Sequence, residues 1–456
     1  MPPHSKFSGL QTDLYELTMA AGYVETHFDA RATFELFVRS LPPRRNFLVA
    51  AGLDEALDYL ENVHFAPEEI EYLRKHPVFE GIGGEFFEFL ASFRFSGEVY
   101  AMPEGTVFFP NEPILRVTAP IAEAQIVETF LLAAVNFQTM IASKAARVTH
   151  AAAGRDVIEF GTRRAHGIES GVLAPRAAFV GGCRGTSNVA SGYRFGIPIY
   201  GTQAHSWIMA FEDEEEAFRR FLEIFPGNAV LLVDTYDVRA AVETILAIGR
   251  KPRGVRLDSG DLAADSIWVR HRLDEAGWND VQVFASGDLD EDRIAALLAA
   301  GAKIDAFGVG TSLATSSDAP TLGVNYKLVE VETGGAVRSA AKFSAAKVTY
   351  PGRKQVFRFS QRGGRFVNDV IALADENVPG AEPLLVRVMR EGRREIPRTN
   401  LEEARERCLL QTSRLPAALR ELAAAPVQYP VSASARLEEL LGEVRKRVEA
   451  AARSSR

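Results

Sequence analysis

A histidine with the chemistry of a nucleophile stands in the middle of the stretch Ile197–Phe211. The stretch reads Ile-Pro-Ile-Tyr-Gly-Thr-Gln-Ala-His-Ser-Trp-Ile-Met-Ala-Phe, so an apolar run is followed by Gly201-Thr202 and then by His205. This order predicts a strand, a loop and a helix, with the imidazole at the carboxyl end of the strand, where α/β folds bind their ligands. A neutral imidazole is a nucleophile or proton carrier near pH 7. The alternative is a histidine that only caps the loop.

Small polar clusters follow the other short apolar runs of the same region. In a parallel sheet the carboxyl ends of the strands meet at one face, so these clusters are expected to meet there too. That face would hold arginines, several carboxylates, one histidine and glycine-containing loops. The clusters are Glu159-Phe-Gly-Thr-Arg-Arg164, Val233-Asp-Thr-Tyr-Asp237, Arg256-Leu-Asp-Ser-Gly-Asp261, Ala285-Ser-Gly-Asp-Leu-Asp290 and Phe307-Gly-Val-Gly-Thr-Ser312.

Residues of these types suit a phosphorylated sugar as substrate. Glycine loops at helix starts offer backbone N–H groups to phosphate oxygens, and arginines bind phosphate or carboxylate with two hydrogen bonds. Carboxylates can bind ribose hydroxyls, or a Mg²⁺ ion that substrate phosphates mainly hold. For Asp237, Asp261 and Asp290 we prefer a simpler interpretation, because an aspartate after a strand often caps the next helix.

The elements that must position these clusters alternate regularly between strand and helix. Such alternation predicts a parallel sheet, and six strands favour an irregular (β/α) barrel over a doubly wound sheet. No G-x-G-x-x-G opens a helix after a first strand, so the dinucleotide-binding signal is missing. The predicted strands are Val157–Phe160, Ile197–Tyr200, Ala229–Val233, Gly254–Leu257, Val281–Phe284 and Ile304–Phe307, and the predicted helices are Glu214–Ile224, Val238–Ile248, Leu262–Glu275 and Asp290–Ala300.

The segments on either side of this region predict a second, discontinuous domain. Arg31–Arg39 alternates like a strand, and Phe95–Val117 and the stretch after Thr311 have short strand patterns with glycine turns. We therefore expect an α/β protein with an α+β N-terminal domain over residues 1–119 that residues 325–375 complete. The barrel-like domain would cover residues 120–324, and a helical C-terminal extension residues 376–456.

Composition limits the class of protein. The chain has 456 residues, a formal net charge of −8 and two cysteines. This balance disfavours a non-specific nucleic-acid binder or a polybasic membrane-surface protein, and two cysteines make neither a disulfide framework nor a cysteine-based zinc site. The start lacks a signal-peptide core, and no apolar run reaches the length of a membrane span. A cytoplasmic enzyme without nucleic-acid or membrane partners is expected.

Taken together, the motifs closely resemble the nicotinate phosphoribosyltransferase family, a type II phosphoribosyltransferase group that also includes nicotinamide phosphoribosyltransferase. The resemblance runs from Thr12 to about Arg358, which is most of the chain. Its specific pieces are Thr12-Asp-Leu-Tyr15, Glu159-Phe-Gly-Thr-Arg-Arg-Ala-His-Gly167, Gly185-Thr-Ser-Asn188, Gly201-Thr-Gln-Ala-His-Ser206, Gly254-Val-Arg-Leu-Asp-Ser-Gly-Asp261 and Lys347-Val-Thr-Tyr-Pro-Gly-Arg-Lys354.

The resemblance implies that nicotinate and phosphoribosyl pyrophosphate give nicotinate mononucleotide and pyrophosphate, the first step of NAD salvage from nicotinate, coupled to ATP hydrolysis with Mg²⁺ present. It implies a homodimer with a shared active site. The resemblance also implies roles for single residues. His205 would be transiently phosphorylated and oriented by Asp234, and Phe160 and the partner subunit's Tyr15 would cover the two faces of the pyridine.

The remaining implied contacts are to the base, the phosphates and the ribose: Arg163 and Arg256 to base and phosphates, Asp258 and Asp288 on the ribose side, and Gly287, Gly308, Gly310 and Thr311 in phosphate loops.

Ser187 bears on the choice of base. Relatives that use nicotinamide carry an aspartate at this position, which accepts from an amide and repels a carboxylate. A serine hydroxyl donates to the carboxylate of nicotinate, so we predict an acid-preferring enzyme. The first alternative is a sister enzyme that uses nicotinamide or quinolinate; Ser187 argues against nicotinamide and the His205 motif against quinolinate. From another class, a metal-dependent hydrolase would use Asp234, Asp237, Asp258 and Asp261 as a two-metal site. A catalytically inactive binding module is the third.

Overall fold

The computed structural model of the protein describes residues 6–344 and 347–454. The chain forms two compact units, one from the segments up to Thr139 and from Thr321 onward, the other from Met140–Pro320. The helix Glu128–Ala151 contributes residues to both. The first unit is therefore discontinuous in sequence, while the predicted boundaries at residues 119, 324 and 375 stay predictions.

The Met140–Pro320 unit is built on a six-stranded parallel sheet, which confirms the mixed α/β class. Its strands are nearly all buried, because each is a short apolar run covered by the helices that follow it. In spatial order the strands are Gly185–Thr186, Asp156–Glu159, Ala306–Val309, Gln282–Ala285, Gly254–Leu257 and Val230–Leu232.

The helices of this unit begin and end close to where the sequence places them. Asp237, Asp261 and Asp290 each accept a hydrogen bond from the backbone N–H three residues on, so the prediction that they are helix caps is confirmed. The helices are Ile168–Val180, Val189–Phe195, His205–Met209, Glu214–Ile224, Val238–Ile248, Leu262–Glu275, Glu291–Ala299 and Thr311–Thr315, with a 3₁₀ turn at Thr162–Arg164.

The predicted strand Ile197–Tyr200 is wrong. This segment makes only one parallel bridge, between Ile199 and Thr186, and the short strand Gly185–Thr186 takes its place beside Asp156–Glu159. Pro198 has no N–H to donate to a ladder, which limits the pairing of its segment. Of these four residues Ile197 alone is buried and Ile199 is 55% exposed, so the apolar run does not form a buried strand.

The other unit contains a seven-stranded sheet that mixes early and late parts of the chain. The strand Arg31–Val38 is buried along almost its whole length and pairs antiparallel with Pro113–Pro120 on one side and Val324–Thr333 on the other. The order is Ala336–Ser339, Val324–Thr333, Arg31–Val38, Pro113–Pro120, Glu98–Ala101, Val386–Arg390 and Arg393–Arg394.

The remaining elements of this unit include further strands near the C-terminus, so the predicted extension over 376–456 is not purely helical. The antiparallel strands Lys354–Ser360 and Phe366–Leu373 form a sheet with Glu382–Pro383 and Val431–Ala433 at its edges. Two small pairs join Leu48–Val49 to Val107–Phe108 and Phe343–Ser344 to Lys347–Val348. The helices are Leu14–Glu25, Leu53–Asn62, Pro67–Arg74, Gly84–Ala91, Ile121–Ile126, Leu401–Arg414, Ala417–Arg420 and Ala435–Ser454, with a 3₁₀ turn at Pro77–Phe79.

Candidate active site

His205 is the first residue of the helix His205–Met209, directly after the glycine-containing loop. Its Nδ1 lies 3.2 Å from the hydroxyl Oγ1 of Thr235, and its Nε2 lies 3.9 Å from Oδ2 of Asp258. The imidazole is 41% exposed. A hydroxyl therefore holds one ring nitrogen, while the other faces a carboxylate and solvent and is accessible to a ligand.

Arg256 and Asp258 form a largely buried ion pair at the end of the strand Gly254–Leu257, with 2.7 Å between Nη2 and Oδ1. The guanidinium also donates to the hydroxyls of Thr202 and Ser286, each at 2.8 Å. Burial alone would raise the pKa of Asp258, but the hydrogen bond from Ser286 and the charge of Arg256 outweigh it and lower the pKa. Asp258 is therefore ionised at neutral pH, and Arg256 joins loops from three parts of the sheet.

Asp234 holds the backbone that carries Asp258. Its Oδ2 accepts from the N–H of Asp258 at 2.9 Å and from the hydroxyl of Ser259 at 2.6 Å. Its Oδ1 is buried and has no hydrogen-bond partner within residues 6–344 and 347–454. The family resemblance implies that Asp234 orients His205, and in the structure the contact is indirect, through Asp258. The role itself stays a prediction.

Phe160 lies at the end of the strand Asp156–Glu159, between an aromatic ring and a cation. Its ring centroid is 6.4 Å from that of Phe284 and 5.6 Å from the Arg256 guanidinium carbon. A Cβ on Gly308 would lie 2.6 Å from the Phe160 ring, so only glycine fits beneath it. The glycine predicted to bind phosphate thus has a second, steric reason to be glycine.

A cavity of about 370 Å³ opens beside Phe160. Its lining mixes the apolar side chains of Ile158, Tyr200 and Phe284 with polar residues, among them Thr202 of the Arg256 network. Asp156 and Gln282, the first residues of their strands, also line it. The cavity therefore reaches from Phe160 toward the beginnings of the strands.

The loop after the strand Gln282–Ala285 passes very close to the backbone of Asp258. Gly287 has φ +91°, and a Cβ there would lie 1.8 Å from the Asp258 carbonyl oxygen. Asp288 is exposed and also has a positive φ, of 47°. The glycine therefore permits the close approach that brings Asp288 to the same edge of the sheet as Asp258.

A similar close contact joins the loops after two neighbouring strands. Gly310 precedes the helix Thr311–Thr315, and a Cβ on Gly161 would lie 2.7 Å from the Gly310 carbonyl oxygen and 2.3 Å from the Ala314 Cβ. Thr311 is exposed at the start of that helix. These glycines let the Phe160 loop and the Gly308–Gly310 loop pack directly on one another.

Arg163 and Ser187 are exposed side chains on two loops that hydrogen bonds connect. The Ser187 N–H donates to the Glu159 carbonyl at 3.0 Å, and Nδ2 of Asn188 donates to the Thr162 hydroxyl at 3.0 Å. The structure therefore keeps the predicted base-contacting residues on adjacent, mutually anchored loops.

Tyr15 belongs to the other unit, on the helix Leu14–Glu25, and is 47% exposed. Burial, followed by the nearby carboxylates of Glu128 and Glu16, raises its pKa above the ordinary value. Tyr15 therefore stays a neutral phenol. Its contribution to a partner's site stays a prediction.

Sequence reasoning missed a buried ion network in the Met140–Pro320 unit. Lys144 Nζ lies 2.5 Å from Glu291 Oε2 and 2.8 Å from Asp318 Oδ1, while Arg147 Nε lies 2.9 Å from Glu291 Oε1. Burial would raise the pKa of Glu291, but Lys144 and Arg147 lower it below its ordinary value. The signal that could have found them is their spacing of three on an otherwise apolar helix.

Two features are absent from the residues that the structure describes. Within residues 6–344 and 347–454, no group of three or more His, Cys, Asp or Glu side chains is placed to hold one metal ion. Over the same ranges, no helix combines the length and apolar character that crossing a membrane needs. Because Asp237 and Asp261 cap helices, the ligand set of the alternative two-metal hydrolase is not assembled there.

Three family profiles match successive parts of the chain. The profile described as nicotinate phosphoribosyltransferase N-terminal domain matches residues 10–136, that of the nicotinate phosphoribosyltransferase family matches 156–370, and that of the C-terminal domain matches 380–441. The order of the matches follows the order of the segments in the structure.

Characterised relatives and solved structures agree with these profiles. A nicotinate phosphoribosyltransferase of Mycobacterium tuberculosis is 46% identical over 443 residues, covering 96% of this chain and 94% of its own, and one of Bacillus subtilis is 45% identical, covering 81% and 77%. The crystal structure of human nicotinic acid phosphoribosyltransferase superimposes with a TM-score of 0.83 at 29% identity, covering 95% and 99%. That of nicotinate-nucleotide pyrophosphorylase from Pyrococcus furiosus gives 0.72 at 28%, covering 89% and 95%.

Proposed function

Because this chain belongs to the nicotinate phosphoribosyltransferase family, we propose that the strand-end residues of Met140–Pro320 carry out its reaction. The protein is a nicotinate phosphoribosyltransferase: it converts nicotinate and phosphoribosyl pyrophosphate to nicotinate mononucleotide and pyrophosphate, a step of NAD salvage. The observation that carries the mechanism is the cluster in which Arg256 and the imidazole of His205 face the two oxygens of Asp258.

The transfer step needs positioning and charge more than proton transfer. The pyridine nitrogen has a free lone pair, so it attacks the anomeric carbon directly while the carbon–oxygen bond to pyrophosphate breaks and the electron pair leaves with pyrophosphate. Phe160 would hold the ring, and the ionised Asp258 would stabilise positive charge on the sugar. Arg256, fixed by two hydroxyls, would stabilise the departing pyrophosphate.

His205 is free for energy coupling because the transfer needs no general base. Thr235 engages Nδ1, so Nε2 is the nitrogen we propose as nucleophile toward the terminal phosphorus of ATP. A nitrogen–phosphorus bond forms, the bond to ADP breaks, and later hydrolysis releases phosphate. A phosphoryl group adds about −1.5 to −2 charge, enough to reorganise the contact with Asp258 and thereby its pairing with Arg256. Dependence on ATP supports a cytoplasmic site of action.

Magnesium fits the site as an ion held mainly by substrate phosphates. The described residues form no three-ligand cluster, whereas the carboxylates of Asp258 and Asp288 could each supply one oxygen. When bound, Mg²⁺ would neutralise phosphate charge. The protein's own part is to hold the two carboxylates at one edge of the sheet, which Gly287 permits.

Ser187 supports nicotinate over nicotinamide as the base. Its side chain is exposed next to the Phe160 loop, and its backbone is anchored to Glu159. A hydroxyl at this place can donate to a carboxylate and carries no charge that would repel it. Turnover of the two bases at equal rates would contradict this assignment.

We propose that the parallel sheet curves into an incomplete barrel. Read around a circle, the strands of this sheet follow one another in chain order, and the circle is open between Ile199 and Val230. The bridge from Ile199 to Thr186 extends the edge formed by Gly185–Thr186. Side chains from Ile158, Phe284 and Ala306 meet in one cluster, although they lie on three strands. Curvature of this kind would bring the carboxyl ends of all the strands together at one face.

We also propose a homodimer that completes the site with Tyr15. Each unit exposes large apolar side chains that isolated monomers rarely leave in solvent. In the unit formed by the segments up to Thr139 and from Thr321 onward, these are Leu14, Tyr15 and Met19 on one helix, at 39–47% exposure. In the Met140–Pro320 unit they are Ile168, Val189 and Tyr193, at 69–94% exposure. Two copies that cover both patches would bring the partner's Tyr15 toward the base-binding loops.

The test is formation of nicotinate mononucleotide from nicotinate and phosphoribosyl pyrophosphate, followed by chromatography with and without ATP. We expect product in both conditions, more with ATP, and ADP release in proportion. His205→Ala should lose ATP hydrolysis and keep slow, uncoupled transfer. The wild-type protein failing to make the nucleotide in either condition would overturn the function. His205→Ala retaining coupled ATP hydrolysis would overturn the role of His205.

A further inference from the structure

Glu159 is a fully buried carboxyl directly before Phe160, and the proposed mechanism gives it no role. Its Oε1 accepts from the Gly161 N–H at 2.5 Å, and its Oε2 accepts from the Thr186 hydroxyl at 2.8 Å. Its backbone carbonyl accepts from the Ser187 N–H at 3.0 Å. One residue therefore contacts both loops that carry the proposed base-binding side chains.

The contacts continue into a closed ring. The Thr186 oxygen that donates to Glu159 also accepts from the Asn188 N–H at 2.9 Å. The Asn188 side chain donates to the Thr162 hydroxyl at 3.0 Å, which returns to the loop that begins at Gly161. A ring in which each polar group is hydrogen-bonded fixes one relative arrangement of the two loops.

We infer that Glu159 is a positioning residue that sets the distance between Phe160 and Ser187 and thereby the affinity and selectivity for nicotinate. This rests on the proposed function of the same pocket and deepens it. The carboxyl touches no substrate in that mechanism, and its effect is transmitted through the two loops. The pyrophosphate side of the site depends instead on Arg256 and its hydroxyl partners.

The surroundings of Glu159 argue against a purely stabilising role. Burial raises its pKa, the hydrogen bonds from Thr186 and Gly161 offset this only in part, and the resulting pKa is about 7. A buried acid with a pKa near neutrality weakens the folded state whenever it is charged. Glu159 therefore contributes loop placement at a cost in stability, which is the pattern expected at a functional site.

The first experiment compares Glu159→Ala with Glu159→Gln. Alanine removes the connection, whereas the glutamine amide can accept from Gly161 and donate to the Thr186 oxygen across the same span. We expect Glu159→Ala to raise KM for nicotinate about tenfold, the effect of one such hydrogen bond, with KM for phosphoribosyl pyrophosphate and ATP unchanged within about twofold. Glutamine should restore KM for nicotinate to within about threefold of wild type.

A second pair of variants keeps the inference testable if Glu159→Ala does not fold. Thr186→Val removes the donor to Glu159 and the acceptor for Asn188, while Thr186→Ser keeps both. We expect the valine variant to raise KM for nicotinate and to reduce the preference for nicotinate over nicotinamide, and the serine variant to match wild type. The ratio of nicotinate turnover to nicotinamide turnover is the readout that a general loss of stability would not move.

The outcomes separate the inference from the function beneath it. Suppose the wild-type enzyme makes nicotinate mononucleotide, but Glu159→Ala raises KM equally for all substrates or Glu159→Gln fails to restore KM for nicotinate. Then positioning by Glu159 is wrong and the proposed function stands. If the wild-type enzyme makes no nucleotide, the proposed function fails first. Selective change in nicotinate KM with rescue by glutamine and serine supports the inference.

Discussion

Two buried glutamates of the parallel-sheet unit lie in opposite electrostatic surroundings. Glu291, at the start of the helix after the Gly287 loop, is 2% exposed and contacts the cations Lys144 and Arg147, which outweigh burial and lower its pKa. Glu159 is fully buried and receives hydrogen bonds from a backbone N–H and a hydroxyl, so burial raises its pKa to about 7. The same type of side chain is thus held as an anion in one place and has a pKa near neutral pH in the other.

The difference teaches how one site can handle two kinds of ligand. Pyrophosphate and ATP carry several negative charges, and the unit holds the carboxylates of Asp258 and Glu291 as anions in fixed ion pairs, Asp258 at the site itself. Nicotinate carries one carboxylate on an apolar ring, and the side near Glu159 is built from hydrogen bonds with uncharged donors and from an aromatic wall. We call these the charged side and the neutral side.

Breaking the charged side at its most buried cation should have the largest effect. Lys144→Met leaves Glu291 with one cation in place of two, and removing one partner of a buried ion pair costs about 3–5 kcal/mol. The expected result is a fall of that size in the free energy of unfolding, measured by urea denaturation. Lys303→Met, at an exposed lysine of the same unit, is the control and should change it by less than about 0.5 kcal/mol.

Removing the cation that faces substrate should come next. Arg256→Ala leaves Asp258 without its ion pair and takes away the proposed stabiliser of departing pyrophosphate. We expect kcat to fall about 10²–10³-fold, the usual loss for one such group, in initial-rate assays with varied phosphoribosyl pyrophosphate. Arg250→Ala, at an exposed arginine in the same unit, should have no effect. A fall of less than about threefold in Arg256→Ala would contradict the charged side as described.

The two glutamates should respond to pH with opposite signs. The pKa of Glu159 is 4.5 in the unfolded chain and about 7 in the folded protein. As pH rises between these two values, the wild-type protein loses roughly 3 kcal/mol of folding free energy. Glu159→Gln should therefore gain stability over wild type as pH rises from 5 to about 8. The folded pKa of Glu291 is lowered, so its contribution is present above the unfolded pKa and is lost as pH falls through the folded pKa.

Glu291→Gln is the matched variant for this comparison. It should be less stable than wild type at neutral pH, and the difference should shrink on acidification. Thermal denaturation of both variants across the pH range tests the pair. Curves with the same sign would remove the distinction between the charged and the neutral side.

The smallest expected effect concerns an aspartate that belongs to neither side. Asp261 accepts from the Ala264 N–H at 3.1 Å and caps its helix. Asp261→Ala should cost about 1 kcal/mol of unfolding free energy and leave kcat unchanged. Loss of nucleotide formation without loss of stability would contradict the assignment of Asp261 as a helix cap alone.

Elements with strong local signals could be predicted from the sequence. The helices Glu214–Ile224, Val238–Ile248 and Leu262–Glu275 have the predicted bounds, because apolar periodicity and aspartate caps mark them locally. The discontinuous seven-stranded sheet also agrees with the expectation that the flanking β-rich segments belong together. These features depend on residues that are neighbours in sequence or on repeating patterns.

Contacts between distant residues could not be predicted in this way. The strand Gly185–Thr186 is too short for any periodicity to mark it. Thr235 as the partner of His205, and the ring through Glu159, Thr186 and Asn188, depend on which strand ends become neighbours. The resemblance to the family supplied candidate residues, and the structure supplies the contacts through which we propose they act.

The most direct test of the account is whether His205 carries a phosphoryl group when ATP is the only substrate present. Protein incubated with ATP labelled at the terminal phosphate would be digested with a protease at alkaline pH, which preserves phosphohistidine. The labelled peptide would then be identified by mass spectrometry. The account predicts label on the peptide that contains His205, no label in His205→Ala, and discharge of the label when nicotinate and phosphoribosyl pyrophosphate are added. Label on another residue, or coupled turnover by the wild-type enzyme with no phosphohistidine, would contradict it.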